Sequence, residues 1–192
     1  MRLLIFSFFA LLIACKNNTT SSGNKEFNND TIQFFQVSNF IQSQLDEIRK
    51  TPFFIYKKKT ANNKQDSISI NTQELMDLAK PFLLSDITTN VKKFYKESAF
   101  EDLSTKSITF NYSTTKTDLP IQNIDVLLNQ ETQNCKRIFI KKFFKSGDTT
   151  YSQQLNWKAN ESFQIINSYT TSKILEAQTN QLVVVWNNNK LK

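Results

Sequence analysis

Apolar residues recur at helical spacing early in the chain and alternate with polar residues in its second half. From residue 30, they lie three or four positions apart until Thr51 and Pro52 end the pattern. Asp30 with Gln33 resembles a capping box, which predicts a helix start there. The helix would bury one apolar stripe on a sheet. That stripe consists of Phe34, Val37, Ile41, Leu45 and Ile48.

A hairpin and two further helices are predicted next. Residues 53–59 and 66–70 have strand character and are joined by the turn-rich segment 61–65. Thr72 is expected to cap a second helix whose last turn is kinked by Pro81. A third helical stretch is expected over residues 85–95. The buried face of the second helix would consist of Leu75, Met76, Ala79 and Phe82 or Leu83.

After Leu103 the hydrophobic period changes to two, which is the period of a pleated sheet. Turn residues at 146–148 and 158–161 would connect the strands in antiparallel order. The sequence therefore predicts an α+β fold, with N-terminal helices packed on one curved antiparallel sheet of cystatin-like or half-barrel arrangement. It would form a single domain over residues 30–192. The alternating segments are 108–112, 124–128, 138–140, 151–157, 163–165 and 183–185.

The first residues have the character of a targeting signal. Arg2 is followed by an apolar run that is shorter than the about 20 residues needed to span a bilayer. Its end, Leu12-Ile13-Ala14-Cys15, resembles a bacterial lipobox, in which the cysteine becomes the lipid attachment point. This predicts a signal peptide over residues 1–14, a lipidated Cys15 carrying acyl chains such as palmitate, and a polar, flexible tether through residue 29.

The lipobox resemblance also implies a location. Lys16 follows Cys15 where many lipoproteins retained at the inner membrane have Asp. We therefore expect attachment to the outer membrane, facing the periplasm. With Cys15 acylated, Cys135 has no partner for an internal disulfide and is expected to be a small strand residue.

The composition excludes several kinds of catalytic and ligand-binding site. The chain has no histidine, which excludes Ser-His-Asp and Cys-His catalysis and histidine-ligated metals. Its two glycines are too few for a glycine-rich phosphate-binding loop. We expect no cofactor and no metal.

Three acidic residues are weak candidates for a site. Glu97, Glu101 and Asp102 lie close in sequence, and on a helix Glu97 and Glu101 would share a face. Paired carboxylates can perform general acid–base hydrolysis or bind a hard cation. A solvated helix face would explain them equally well.

Basic residues are interleaved with aromatic ones at 54–59 and 141–145, and the formal net charge is +7. In a cytosolic protein this pattern would indicate nucleic-acid binding. A lipid anchor makes that partner unsuitable, and anionic lipid headgroups, lipopolysaccharide or an acidic glycan fit the charge better, although solubility alone would also explain it. A row of aromatic residues could be core packing or could cradle an acyl chain or peptide: Trp157, Phe163, Tyr169 and Trp186.

Several short segments resemble a group of Bacteroidota lipoproteins of unknown chemistry, from about Phe40 to Asn187. They are 84–87 (LSDI), 95–97 (YKE), 100–102 (FED), 155–158 (LNWK), 162–165 (SFQI) and 184–187 (VVWN). The resemblance implies a compartment and no activity. Sites resembling the O-glycosylation signal of such proteins, Asp followed by Ser or Thr, occur at Thr31, Ser67 and Thr149, where capping or turn chemistry is the alternative.

The leading hypothesis is thus a membrane-anchored envelope lipoprotein with a non-enzymatic binding or structural role, whose partner is an envelope protein, lipid or glycan. A periplasmic lipid or peptide carrier, or a chaperone, using the concave sheet face is the first alternative. A carboxylate-dependent hydrolase is the second.

Overall fold

The structure is a computed structural model that describes residues 25–26, 34–61, 64–83, 86–172 and 174–187, with the backbone alone at 25, 26, 61 and 174–176. Cys15, the tether except for Lys25 and Glu26, the capping-box residues Asp30 and Gln33, and Thr31 lie outside the described residues. Within the described ranges, no helix is both long and apolar enough to cross a bilayer.

The predicted apolar stripe of the first helix is confirmed. Val37, Ile41, Leu45 and Ile48 are all buried on this helix. Phe34 is buried as well, but it precedes the helix, which begins later than the capping box predicted. The described helices are α1 (Val37–Lys50), α2 (Thr72–Leu83) and α3 (Thr89–Lys92).

The start of α2 is capped by a different residue from the one expected. The backbone N–H of Glu74 donates to Oδ1 of Asn71 at 2.8 Å, so Asn71, rather than Thr72, satisfies the first turn. Pro81 lies within the last turn as predicted. The third helix is much shorter than predicted, because α3 covers only Thr89–Lys92.

The strands form one antiparallel sheet, so the α+β class is confirmed, with strands dominating. They are β1 (Lys25–Glu26), β2 (Ile55–Ala61), β3 (Lys64–Ile70), β4 (Lys96–Asp102), β5 (Ser107–Ser113), β6 (Ile121–Asn129), β7 (Cys135–Ser146), β8 (Thr149–Lys158), β9 (Ser162–Thr171) and β10 (Ile174–Val185). Their order across the sheet is β1-β4-β5-β6-β7-β8-β9-β10-β2-β3.

The predicted hairpin, β2 and β3, joins the sheet at its far end. Val184 of β10 lies opposite Lys57 of β2, so the last strand pairs with the first strand of the hairpin. Strand β3 is then one edge of the sheet, while β4, joined only by the short β1, lies near the other.

The helix layer covers one side of this sheet, which we term the helix face. Phe82 of α2 packs on Trp157 and Phe163, and the backbone N–H of Asn160 donates to Oε1 of Gln44 on α1 at 2.7 Å. Each large apolar side chain buried here contributes about 1.5–3 kcal/mol to folding. One row across the sheet consists of Val126, Ile138, Trp157, Phe163 and Val184, all buried.

Both predicted turns between the long strands are present. Gly147, between β7 and β8, has φ of +57°, a left-handed conformation that glycine adopts at little cost. Asn160, between β8 and β9, has φ of 59°, which asparagine tolerates better than most residues.

Candidate binding face

The side of the sheet opposite the helices, the open face, is polar along its centre. Strand alternation and register place side chains of five neighbouring strands, β5 to β9, next to one another there, and all are half-buried. Because α1 and α2 pack on the helix face, they leave this row uncovered. The row consists of Asn111, Asp125, Phe139, Asn156 and Gln164.

Side-chain hydrogen bonds order one part of this face. Nδ2 of Asn111 donates to Oδ1 of Asn123 and to Oδ1 of Asp125, both at 2.6 Å. Nδ2 of Asn123 donates to Oδ2 of Asp125 at 2.9 Å. Asp125 is thereby engaged by two amides, and its charge is partly compensated by their dipoles.

Exposed cations lie elsewhere on the open face. Its exposed cations make no ion pair with any described carboxylate. Lys158 differs, because its ammonium group pairs with Glu161 at 2.5 Å. Uncompensated cations on one surface attract anionic partners and speed their approach. They are Lys58, Lys96, Arg137, Lys141 and Lys145.

The basic and aromatic segment 141–145 is divided between the two faces. Lys141 and Lys145 lie on the open face, whereas Lys142 lies on the helix face and is buried. Nζ of Lys142 donates to the carbonyl of Pro81 on α2 at 2.7 Å, and burial lowers its pKa to about 8. Strand alternation is the signal in the sequence that separates these contiguous residues into two groups.

The second basic and aromatic segment, 54–59, is divided in the same way. Lys57 lies on the helix face and forms an ion pair with Glu74 of α2. Tyr56 and Lys58 lie on the open face and are exposed, as is Phe54 before the strand. Neither segment therefore forms a continuous basic surface.

The three acidic candidates are not brought together. Glu97 and Glu101 do not share a helix face, because both lie on β4. Four residues along a strand span roughly 13 Å, beyond the about 5–9.5 Å between paired catalytic carboxylates in glycosidases. Glu97 lies opposite the buried Tyr112, and burial together with Glu97 raises the pKa of Tyr112 well above its usual value.

Asp102 has a structural role in the turn after β4. Its carboxylate accepts hydrogen bonds from the hydroxyls of Ser104 and Thr105 at 2.6 and 2.8 Å and from the backbone N–H of Ser104 at 2.9 Å. These bonds, the Ser104 hydroxyl foremost, lower the pKa of Asp102 to about 2. Among the described residues, no group of three acidic or thiol side chains could hold a metal ion.

Cys135 begins β7 and is half-buried, in the strand position predicted for it. Burial raises the pKa of its thiol to about 12, and Sγ donates weakly to the carbonyl of Arg137 at 3.8 Å. A thiol with this pKa is protonated at neutral pH and is a poor nucleophile.

Two of the predicted glycosylation sites lie in the described chain. Ser67 is exposed on the edge strand β3, beside Asp66. Thr149 is half-buried at the start of β8, where strand pairing partly shields it.

Most of the predicted aromatic row is core packing. The Trp157 and Phe163 rings are stacked with centroids 5.3 Å apart, and Trp186 lies 5.3 Å from Trp157. Tyr169 differs, because it lies near the far ends of the strands, with its ring 6.4 Å from that of Tyr151 and its hydroxyl donating to Gln178.

No protein-family model, curated protein or solved structure matches the chain significantly.

Proposed function

We propose that this chain is a lipid-anchored, non-enzymatic binding protein of the bacterial cell envelope. Cys15 carries the anchor and residues 16–29 form the tether, on the outer membrane facing the periplasm. The lipobox-like end of the apolar N-terminal run and the polar residues that follow it support this attachment.

The open face supports the binding role. Its centre is a row of half-buried polar side chains around Phe139, three of them amides and one the carboxylate of Asp125. Its flanks carry exposed cations such as Arg137 and Lys141 that have no carboxylate partner in the described chain. A surface with directed hydrogen-bonding groups and uncompensated charge favours a specific anionic partner.

We also propose the finer form of the fold, a curved sheet of the cystatin-like or half-barrel kind. A carrier would hold its ligand against the apolar side of such a sheet. In this chain, Trp157, Ile138 and Val184 on that side are already fully buried, and Phe82 of α2 packs on it. A ligand would have to displace the helices, so the packing favours the binding protein over the carrier.

The anchor is tested by growing cells with an alkyne analogue of palmitate and measuring label on the purified protein. We expect label on the wild-type protein and none on Cys15→Ser. Cys135→Ser is the matched control, because it removes the chain's other cysteine and should keep the label. Label on Cys15→Ser, or none on the wild type, would refute the anchor. Separating the two membranes by density then tests the outer-membrane location.

A further inference from the structure

Two exposed cations on β7 define the centre of the open face. Arg137 and Lys141 are four residues apart on the same strand, so they point to the same side, roughly 13 Å from each other at the rise of an antiparallel strand. Phe139 lies between them on that side and is half-buried. One small anion cannot contact both cations at once, whereas an extended polymer with repeated negative charges can.

Amide side chains lie next to these cations on the neighbouring strands. Gln154 is opposite Lys141, Asn156 is opposite Phe139, and Gln164 is opposite Asn156. Amides both donate and accept hydrogen bonds, which suits the hydroxyl groups of a sugar.

We propose that the open face binds an acidic polysaccharide, with Arg137 and Lys141 contacting its anionic groups, Gln154, Asn156 and Gln164 contacting its hydroxyls, and Phe139 offering an apolar ring to a sugar. This inference rests on the proposed binding function and names its ligand class.

The arrangement favours a polysaccharide over an anionic membrane. Membrane-surface binding uses protruding basic side chains together with apolar groups that insert among the lipids. Here Phe139, the aromatic ring between the two cations, is half-buried and does not protrude, while the exposed Tyr56 of the open face lies on β2, four strands away from them.

The test is a calorimetric titration of the purified full-length protein, in nonionic detergent, with oligogalacturonate. A neutral cello-oligosaccharide of equal length is the control ligand. We expect binding of the acidic oligosaccharide only, and weaker binding at higher salt, because exposed charges are screened. Arg137→Gln combined with Lys141→Gln should weaken it by roughly tenfold or more, since two charge-assisted contacts are lost.

Two variants separate site-specific binding from general attraction. Lys50→Gln combined with Lys93→Gln removes the same net charge from exposed positions at the end of α1 and after α3, and should bind as the wild type does. Gln154→Ala leaves the charge unchanged and should weaken binding through the lost hydroxyl contacts. Circular dichroism checks that each variant is folded.

The proposal fails if the wild type does not bind oligogalacturonate, or if the Lys50 and Lys93 variant loses as much affinity as the Arg137 and Lys141 variant. It also fails if vesicles of phosphatidylcholine and phosphatidylglycerol in equal parts bind through Arg137 and Lys141 while the oligosaccharide does not. Loss of acyl label with oligosaccharide binding intact would refute the anchored location alone, so the two failures are distinguishable.

Discussion

Phe82 on α2 meets Trp157 on β8 edge to face, with ring centroids 5.1 Å apart and ring planes at 75°. Both side chains are fully buried, and Phe82 also contacts Phe163 of β9 at 5.4 Å. The Phe82 ring therefore joins the helix layer to two central strands, β8 and β9.

Phe82→Ala should leave a cavity at this junction and lower the free energy of unfolding by about 3–5 kcal/mol. Urea unfolding followed by tryptophan fluorescence measures it. Phe94→Ala is the matched control, because Phe94 is 41% exposed, and should cost less than about 1 kcal/mol. Equal losses in the two variants would contradict the role assigned to Phe82.

Lys142 should make stability depend on pH. Burial lowers its pKa to about 8 from 10.5, so between these values the unfolded chain binds more protons than the folded protein. The free energy of unfolding then rises with pH, with this residue contributing about 2 kcal/mol between pH 8 and pH 10. Lys142→Met keeps an unbranched apolar chain and removes the titration. Urea unfolding of both proteins at the two pH values measures the difference, and equal pH dependence would exclude the effect.

Asp125→Ala should destabilise the open face. Nδ2 of Asn111 and Nδ2 of Asn123 both lose an acceptor, and we expect a loss of about 1–3 kcal/mol in the free energy of unfolding. Asp118→Ala serves as the control, because Asp118 is exposed in the turn before β6. A change at position 125 no larger than the change at 118 would show that the network contributes little.

The Cys135 thiol should be nearly inert in the folded protein. With a pKa of about 12, its thiolate fraction near neutral pH is on the order of a thousandfold lower than that of an ordinary cysteine. We expect slow reaction with a disulfide reagent in native buffer and fast reaction in urea. The Cys15→Ser protein makes Cys135 the single cysteine for this measurement. Comparable rates in both conditions would disprove the shielding.

Ser67 is the more accessible of the two described glycosylation candidates, since it is exposed on an edge strand while Thr149 is half-buried. Mass spectrometry of the native protein should find a glycan on the peptide containing Ser67, and Ser67→Ala should remove it. Ser69→Ala, on the same side of the same strand but preceded by Ile68, should not. An unmodified Ser67 peptide would overturn the prediction.

The hydrophobic periodicity predicted those helices and strands whose apolar residues lie on one side. The stripe of α1 and the alternation of β6 to β9 are visible because each has buried apolar residues on one side. β4 has no such side: Ala99 and Phe100 are neighbours that point to opposite faces, and the strand lies near an edge. The alternation that marks the other strands is therefore absent from the sequence of β4.

The candidate site was less predictable than the fold. Charge and aromatic content identified residues 141–145 as a candidate surface. Only the pairing of β7 with β8 shows that Lys141 lies on the open face and Lys142 on the helix face. The amides of the open face come from several strands distant in sequence, and local patterns do not specify which strands become neighbours.

The pairing of β2 with β10 has a consequence for synthesis. Lys57 cannot pair with Val184 until β10 has been made, so the hairpin of β2 and β3 must wait for that strand. Contacts this distant in sequence slow folding, and unpaired strands are prone to aggregation. A chain that crosses a membrane N-terminus first would therefore reach the far side with β2 and β3 still unpaired to the sheet. Until β10 follows, the edge of that hairpin would be open to pairing with other chains.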